Sequence, residues 1–303
     1  MKKNNKKYRI LLLAMLPFLF FISCENEKVL DNQTSGSIKV LIDETYKPVM
    51  EQQIKIFTSR YPDAKIIAEY KPEAECIKTF LEDSTRVVFV TRDLTNEEKA
   101  YGESKKFITK SMPMARDAVA FITSKENSNP VFKIADLRKI LLGDSSQKKY
   151  QIVFDNQSSS TVRYITDSIL KGKKITGNVF ATKTSEEVIN YVSKNKNAIG
   201  IVGVSWVADY SDSTTETFLS KINVAGIWGD TDSSLDYIKP YQAYIGLKEY
   251  PCTRNLYFIS KETWTGLGTG LVNYLCKDGQ LVFKQAKMFP LRVNVLLREA
   301  NVH

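Results

Sequence analysis

The order of apolar and polar positions along the chain switches repeatedly between a period of two and a period near 3.6. Ser37 to Ile42 (SIKVLI) alternates and is β-branched, which predicts a strand, and Tyr46 to Arg60 sets Val49, Ile54, Ile56 and Phe57 along one helical face. Lys65 to Tyr70 then reads as strand, Glu73 to Glu82 as helix, Arg86 to Val90 as a buried strand, and Asn96-Glu97-Glu98 as a helix start. Asp117 opens the strand DAVAFIT, Asn127 to Pro130 is a turn, and Ile134 to Leu142 is a helix stopped by Gly143. Beyond these, Glu186 to Lys194 is helical, and Ala198 to Val207, Ile222 to Trp228 and Leu256 to Ser260 are strands. Leu271 to Cys276 and Gln280 to Lys287 are helices, and Val293 to Arg298 is a closing strand. Alternation of this kind predicts an α/β fold with a largely parallel sheet.

Gln151 to Gly172 (QIVFDNQSSSTVRYITDSILKG) is the most informative stretch. An apolar run stops at Asp155-Asn156-Gln157, and Ser158, Ser159, Ser160 and Thr161 then open a helical pattern with Arg163 two residues in. Unpartnered N–H groups and partial positive charge at a helix start suit an oxyanion. Ser and Thr are also ordinary N-caps, so the residues alone leave both readings open. Ligands of open α/β sheets bind beyond the carboxyl ends of strands, so Thr45, Thr91, Arg92 and Ser158 to Thr161 are expected to converge on one crevice. Arg92 is equally read as a salt-bridge partner of Asp93 or Glu97.

The ends change the picture. Lys2, Lys3, Lys6, Lys7 and Arg9 precede an apolar run from Ile10 to Ile22, so residues 1–23 read as a secretory signal, too short for a membrane span. Phe21-Ile22-Ser23-Cys24 is similar to a bacterial lipobox, predicting a lipid on Cys24, a polar tether over residues 24–36, and an exported, membrane-anchored protein on the periplasmic side or the cell surface. Loss of the signal removes five basic residues and no acidic ones, lowering the formal net charge from +9 to +4. No basic patch interleaved with aromatics remains, which argues against nucleic acid as a partner.

Histidine occurs once, at His303, which excludes a Ser-His-Asp triad, a Cys-His pair and a His-ligated zinc site. There is no CxxC, no GxGxxG after a strand and no GxxxxGK[ST], so neither metal, cofactor nor nucleotide is expected, and no catalytic residue is assigned. Cys76, Cys252 and Cys276 are read as buried apolar residues, with a Cys252–Cys276 disulfide as the alternative. Trp206, Trp228 and Trp264 are read as core or surface aromatics rather than ligand platforms.

Between about residues 37 and 295 the stretches IDETYKPVMEQQIKIF, VVFVTRDLTNEE, DAVAFITSKENSNPVFKIADLRKILLGD, SSSTVRYI, AIGIVG and DGQLVFKQAKMFPL follow one another in a telling order. Together they resemble the phosphate-binding proteins of ABC-type phosphate importers, lipoproteins and periplasmic proteins of the type II periplasmic binding protein superfamily. The resemblance implies two α/β lobes of mixed, mostly parallel sheets flanked by helices, closing on one dehydrated oxyanion. Lobe one would hold residues 37–115 and 250–303, and lobe two residues 116–249.

Carried over position by position, the resemblance implies phosphate ligands at Thr45, Tyr46, Thr91, Arg92, Ser158, Ser159, Ser160 and Thr161, with Asp117, Asp155 and Arg163 as further candidates. It implies a membrane permease as partner and a monomer as the working unit. Selecting phosphate over sulfate needs a proton acceptor, for which Asp93, Asp117 and Asp155 are the candidates.

Several positions depart from the family pattern. Ser160 stands where the family has glycine, Asp155 where many relatives carry an arginine, and Glu73-Ala74-Glu75 where relatives have a Ser/Gly-rich anion loop. Carboxylates there would repel an anion unless Arg92, Arg116 or Arg163 compensates. The second reading keeps the fold and changes the ligand toward a cationic or polyol group, or makes the protein a sensing or partner-recruiting surface. An enzyme using Glu73 and Glu75 as a carboxylate pair ranks last, since acidic residues at a helix start are ordinarily solvated.

Overall fold

The computed structural model describes residues 30–147, 149–208, 218–229 and 237–292. The expected signal, Cys24, most of the expected tether and the strand expected at Val293 to Arg298 lie outside the described residues. The strands are β1 (Gly36–Asp43), β2 (Ala64–Lys71), β3 (Val87–Val90), β4 (Lys110–Ser124), β5 (Val131–Lys133), β6 (Gln151–Phe154), β7 (Val179–Ala181), β8 (Ala198–Gly203), β9 (Ile222–Val224), β10 (Gly226–Trp228), β11 (Thr253–Ser260) and β12 (Phe289–Pro290). Of the helices, those that shape the site are α1 (Lys47–Arg60), α2 (Glu73–Glu82), α3 (Asn96–Ser104), α4 (Ile134–Leu141), α5 (Ser160–Tyr164) and α6 (Ser185–Lys194).

One long sheet runs in the order β2-β1-β3-β11-β4-β8-β6-β7, with β9 and β12 also paired to β4. It is mixed rather than largely parallel. The ladders β1–β2, β1–β3, β6–β7 and β6–β8 are parallel, whereas β11 and β4 run antiparallel to their neighbours in the middle. Both faces of β1, β3, β6 and β8 are largely covered, which is why they read as near-continuous apolar runs. Val40, Ile42, Val87 and Phe89 join the large core, and Leu41, Val88 and Val90 point to a smaller one with Cys76, Ile77 and Phe80 of α2.

β4 carries the chain from one half of the sheet to the other. Its first part pairs with β11 as far as Ala118, and from Val119 it pairs with β8. Three successive antiparallel pairings separate β3 from β8, so the two run in opposite directions and their carboxyl ends point toward each other. This brings the turns after β1, β3, β6 and β8 to one crevice.

Sequence pattern placed the start of this strand seven residues late. Pro113 lacks a donor N–H and argues against a strand interior. The chain accommodates it at a register shift, where Tyr257 pairs with Pro113 and Leu256 with Ala115, leaving Met114 as the extra residue of a bulge. Ile222 to Trp228 is likewise two strands, β9 on the long sheet and β10 beside β5 on a separate two-stranded sheet. Ala198 to Val207 stops as a strand at Gly203 and continues as a 3-10 turn.

Cys76, Cys252 and Cys276 are free thiols, so Cys252 and Cys276 do not pair. No helix among the described residues is long and apolar enough to cross a membrane.

Gly200 marks a closely packed point of the second half. A Cβ there would lie 2.7 Å from Val192, 2.8 Å from Ile122 and 2.8 Å from Val188. All three are branched side chains held in the core, so Gly200→Ala is expected to cost about 1–3 kcal/mol through overpacking. Denaturant unfolding measures it, and an unchanged midpoint would contradict the packing described.

Candidate functional site

The crevice is built from the ends of strands. β1 ends at Asp43, whose Oδ1 accepts the Thr45 N–H at 3.1 Å and caps the 3-10 turn Glu44–Tyr46. Thr91 follows β3, Asp155 follows β6, and Gly203 closes β8. A Cβ on Gly203 would sit 2.4 Å from Thr45 Cγ2, so the approach of β8 to the first turn requires glycine there.

Glu73, the first residue of α2, is 2% exposed. Its Oε1 accepts from the Thr91 N–H at 2.8 Å and the Thr91 hydroxyl at 2.5 Å. Its Oε2 accepts from Arg163 Nε at 2.5 Å, and Arg163 Nη2 reaches the Thr91 hydroxyl oxygen at 2.6 Å. Burial alone pushes the Glu73 carboxyl up, but the Arg163 charge and the hydrogen bonds from Arg163 and Thr91 outweigh it and hold the group below the usual carboxylate range. Glu73 is therefore a dehydrated anion in a built site, not the solvated helix start its position suggests.

A second cluster surrounds Asp155. Thr161 donates its hydroxyl to Asp155 Oδ1 at 2.8 Å and lies 2.7 Å from the Ser159 hydroxyl, while Ser159 caps α5 by accepting the Val162 N–H. The Ser185 hydroxyl, at the start of α6, lies 2.9 Å from Glu44 Oε2 and 3.4 Å from Asp155 Oδ2. Glu44 is pushed up to about 8 by burial and then by the Asp155 charge.

A third cluster is centred on Arg254, a buried residue of β11. Its Nε donates to Asp117 Oδ2 at 2.8 Å, its Nη1 donates to the Ser160 hydroxyl at 3.0 Å, and its guanidinium lies 5.9 Å from the Tyr46 ring centre. The Ser160 hydroxyl lies 3.2 Å from that of Thr45. Arg254 Nη2, Asp117 Oδ1 and Asp43 Oδ2 are buried without a hydrogen-bond partner. Asp43 is pushed up to about 7, by burial and then by the Glu73 charge.

Thus the fold brings together Thr45, Tyr46, Thr91, Asp117, Asp155, Ser159, Ser160, Thr161 and Arg163. It does not aim Arg92 and Ser158 into the crevice. Arg92 makes a two-pronged pair with Glu98 of α3, at 2.7 and 2.8 Å, and also donates to the Asp93 carbonyl, so its partner is neither Asp93's carboxylate nor Glu97. Ser158 is exposed, and its carbonyl accepts the Ala74 N–H at 3.4 Å. Asp93 pairs with Lys99 at 2.7 Å, and Arg116 donates to the Gly246 carbonyl at 2.5 Å. Neither therefore supplies what the crevice was expected to need.

Arg254, Glu44 and Ser185 were missed from sequence. For Arg254 a signal existed, because it shares the inward phase of β11 with Leu256 and Phe258, where a lone arginine must find a buried partner. Among the described residues no group of His, Cys, Asp and Glu is arranged to hold a metal ion.

A cavity of about 160 Å³ adjoins these clusters, lined by Asp43, Glu44, Glu75, Asp155, Lys71 and Lys183, among others. Two α/β halves joined by crossing strands, with a polar crevice at facing strand ends, are the two-lobed architecture of the type II periplasmic binding fold. Residues 29–278 match the family model described as PBP superfamily domain, and the chain belongs to that family.

Solved structures agree on the fold. A putative phosphate ABC transporter substrate-binding protein with bound phosphate from Clostridium perfringens superposes with a TM-score of 0.68 at 21% identity, over 84% of this chain and 100% of that one. A possible phosphate binding protein from Planctomyces limnophilus gives 0.57 at 20% identity, over 84% and 93% of the two chains. PstS from Borrelia burgdorferi gives 0.52 at 20%, over 84% and 99%. Comparison with curated proteins finds no match.

The raised carboxyls set a pH dependence. Asp43 and Glu44 keep a proton in the folded chain that they release when unfolded, so the stability they contribute is full below about pH 4 and is lost as pH rises through about 7 and 8. Glu73 acts in the opposite sense, losing its contribution only on acidification. The thermal midpoint is expected to fall between about pH 5.5 and 8.5, and to fall less in Glu44→Gln. A midpoint that rises over this range would contradict the assignment.

Proposed function

We propose that this protein is an exported solute receptor, anchored through a lipid on Cys24, which closes its crevice on a small oxyanion and presents it to a membrane permease. Inorganic phosphate is the ligand we assign, and the working unit is a monomer with residues 37–115 and 250–303 in one lobe and 116–249 in the other. The observation that carries this reading is the state of Glu73. A carboxylate taken out of water is stabilised there by a backbone N–H, a hydroxyl and a guanidinium, the donor set that a tetrahedral oxyanion requires.

The names of the structural neighbours, one of them with phosphate bound, support the same ligand class. Further donors lie within the crevice at Thr45, Ser160 and Arg254 Nη2, and Asp117 Oδ1 is an acceptor for the proton that distinguishes hydrogen phosphate from sulfate. The chemistry is hydrogen bonding and hinge closure, with no bond made or broken.

One observation favours a second reading. The cavity beside the crevice is lined by Asp43, Glu44, Glu75 and Asp155, and Asp43 Oδ2 is buried there without a partner. A ligand bearing an ammonium group would satisfy it.

Calorimetric titration of the processed protein against phosphate, sulfate and a neutral sugar separates the readings. Phosphate is expected to bind with measurable heat, sulfate about tenfold or more weakly for want of a proton to place on the acceptor, and the sugar not at all. Silence toward phosphate from a cooperatively melting protein would overturn the assignment and favour the cationic ligand.

A further inference from the structure

Glu73 does more than satisfy Thr91. It stands on α2, which packs beneath β1 and β3 in one half of the molecule. Arg163 stands on α5, beyond β6 in the other half, 90 residues along the chain. The pair therefore crosses the crevice, beside the Ala74 N–H to Ser158 carbonyl contact that also crosses it.

Its donors are the Thr91 N–H and hydroxyl at the carboxyl end of β3, where ligands of open α/β sheets are held, and the guanidinium of Arg163 on α5, which also reaches Asp167 at 3.3 Å. Arg92, the other arginine of this region, is turned onto Glu98. An incoming oxyanion and the Glu73 carboxylate therefore compete for the same atoms, and like charges exclude joint occupancy.

We propose that Glu73 is a built-in ligand surrogate: its carboxylate fills the anion position, latches the two lobes together in the ligand-free protein, and must swing out before an external oxyanion binds at Thr91 and Arg163. The proposal rests on the oxyanion reading of the crevice, but its conformational half holds without any ligand. Such a latch makes the free receptor closed. It also raises the ligand concentration at which the protein responds, because only the unlatched fraction is competent to bind. Arg163 serves both states, first as the partner of Glu73 and then as the partner of the ligand, whereas Glu73 serves only the ligand-free state. That asymmetry separates a latch from an ordinary salt bridge.

The test uses the full chain carrying spin labels on one exposed position of each lobe, K78C on α2 and E186C on α6. In the ligand-free state the interlobe distance is expected to lengthen by several ångströms and broaden in both Glu73→Gln and Arg163→Gln. Phosphate affinity is expected to rise about tenfold in Glu73→Gln and to fall by at least that factor in Arg163→Gln.

Glu73→Gln keeps the side chain's size and an acceptor oxygen for Thr91, and a cooperative melt establishes that it folds. An unchanged interlobe distance in a folded Glu73→Gln overturns the latch, even if phosphate binds. Opening of Glu73→Gln with no phosphate binding by any form leaves the latch standing and removes phosphate as the ligand. Weaker phosphate binding by Glu73→Gln shows that the carboxylate assists the ligand rather than replacing it, and overturns the surrogate role.

Discussion

A carboxylate removed from water must be neutralised or protonated, and the arrangement around Glu73 follows from that requirement. Burial raises the free energy of its charged form, so the charge persists only because Arg163 lies against it and Thr91 supplies two donors. Neither partner is local to Glu73. Thr91 arrives at the end of the next strand and Arg163 from the other half of the sheet, so forming the ion pair requires both halves to be folded and brought edge to edge. The same requirement recurs across the crevice at smaller scale. Asp155 takes the hydroxyls of Thr161 and Ser185, Glu44 shares Ser185, and Asp117 takes Arg254. The hydroxyl and cationic donors that an external anion would use are in large part turned onto the chain's own carboxylates.

The sheet makes this geometry unavoidable. Strand β4 crosses from one set of partners to the other between Ala118 and Val119, and the intervening reversals leave the carboxyl ends of β3 and β8 facing each other. Every turn that leaves a strand end on the crevice side then contributes polar residues to a region walled by buried apolar strands. In such surroundings charges interact more strongly than in water, which favours tight pairing and penalises any group left alone. Arg254 Nη2, Asp117 Oδ1, Asp43 Oδ2 and Tyr70 OH are among the groups left so.

Much of the fold was legible because the strands that matter most are short β-branched runs followed by turn residues. SIKVLI, RVVFV and QIVF each ended within a residue or two of where the backbone leaves the sheet, and Thr45, Thr91, Asp155, Ser159, Ser160 and Thr161 accordingly fell at the crevice. The failures have physical causes. Pro113 hid the first half of β4, because a bulge that tolerates a missing N–H has no local signature. Reading β11 from Leu256 stopped one inward position short of Arg254. Arg92 looked like the anion's partner because it follows a buried strand, yet Thr95 and Glu98 form a capping box that was visible in the sequence as Thr-x-x-Glu, and Glu98 holds Arg92 as well. Glu73 was misread for the opposite reason. An acidic residue in the first turn of a helix is usually solvated; of the three arginines named as compensating charges, Arg163 is the one that reaches Glu73, from 90 residues away.

The central claim is that one position in the crevice is occupied either by the Glu73 carboxylate or by an external oxyanion. A crystal structure of the protein grown with saturating phosphate tests it most directly. The account predicts phosphate accepting from the Thr91 N–H and hydroxyl and from Arg163, with the Glu73 side chain turned out of the crevice. Glu73 still seated on Thr91 and Arg163, with phosphate elsewhere in the crevice, would contradict it.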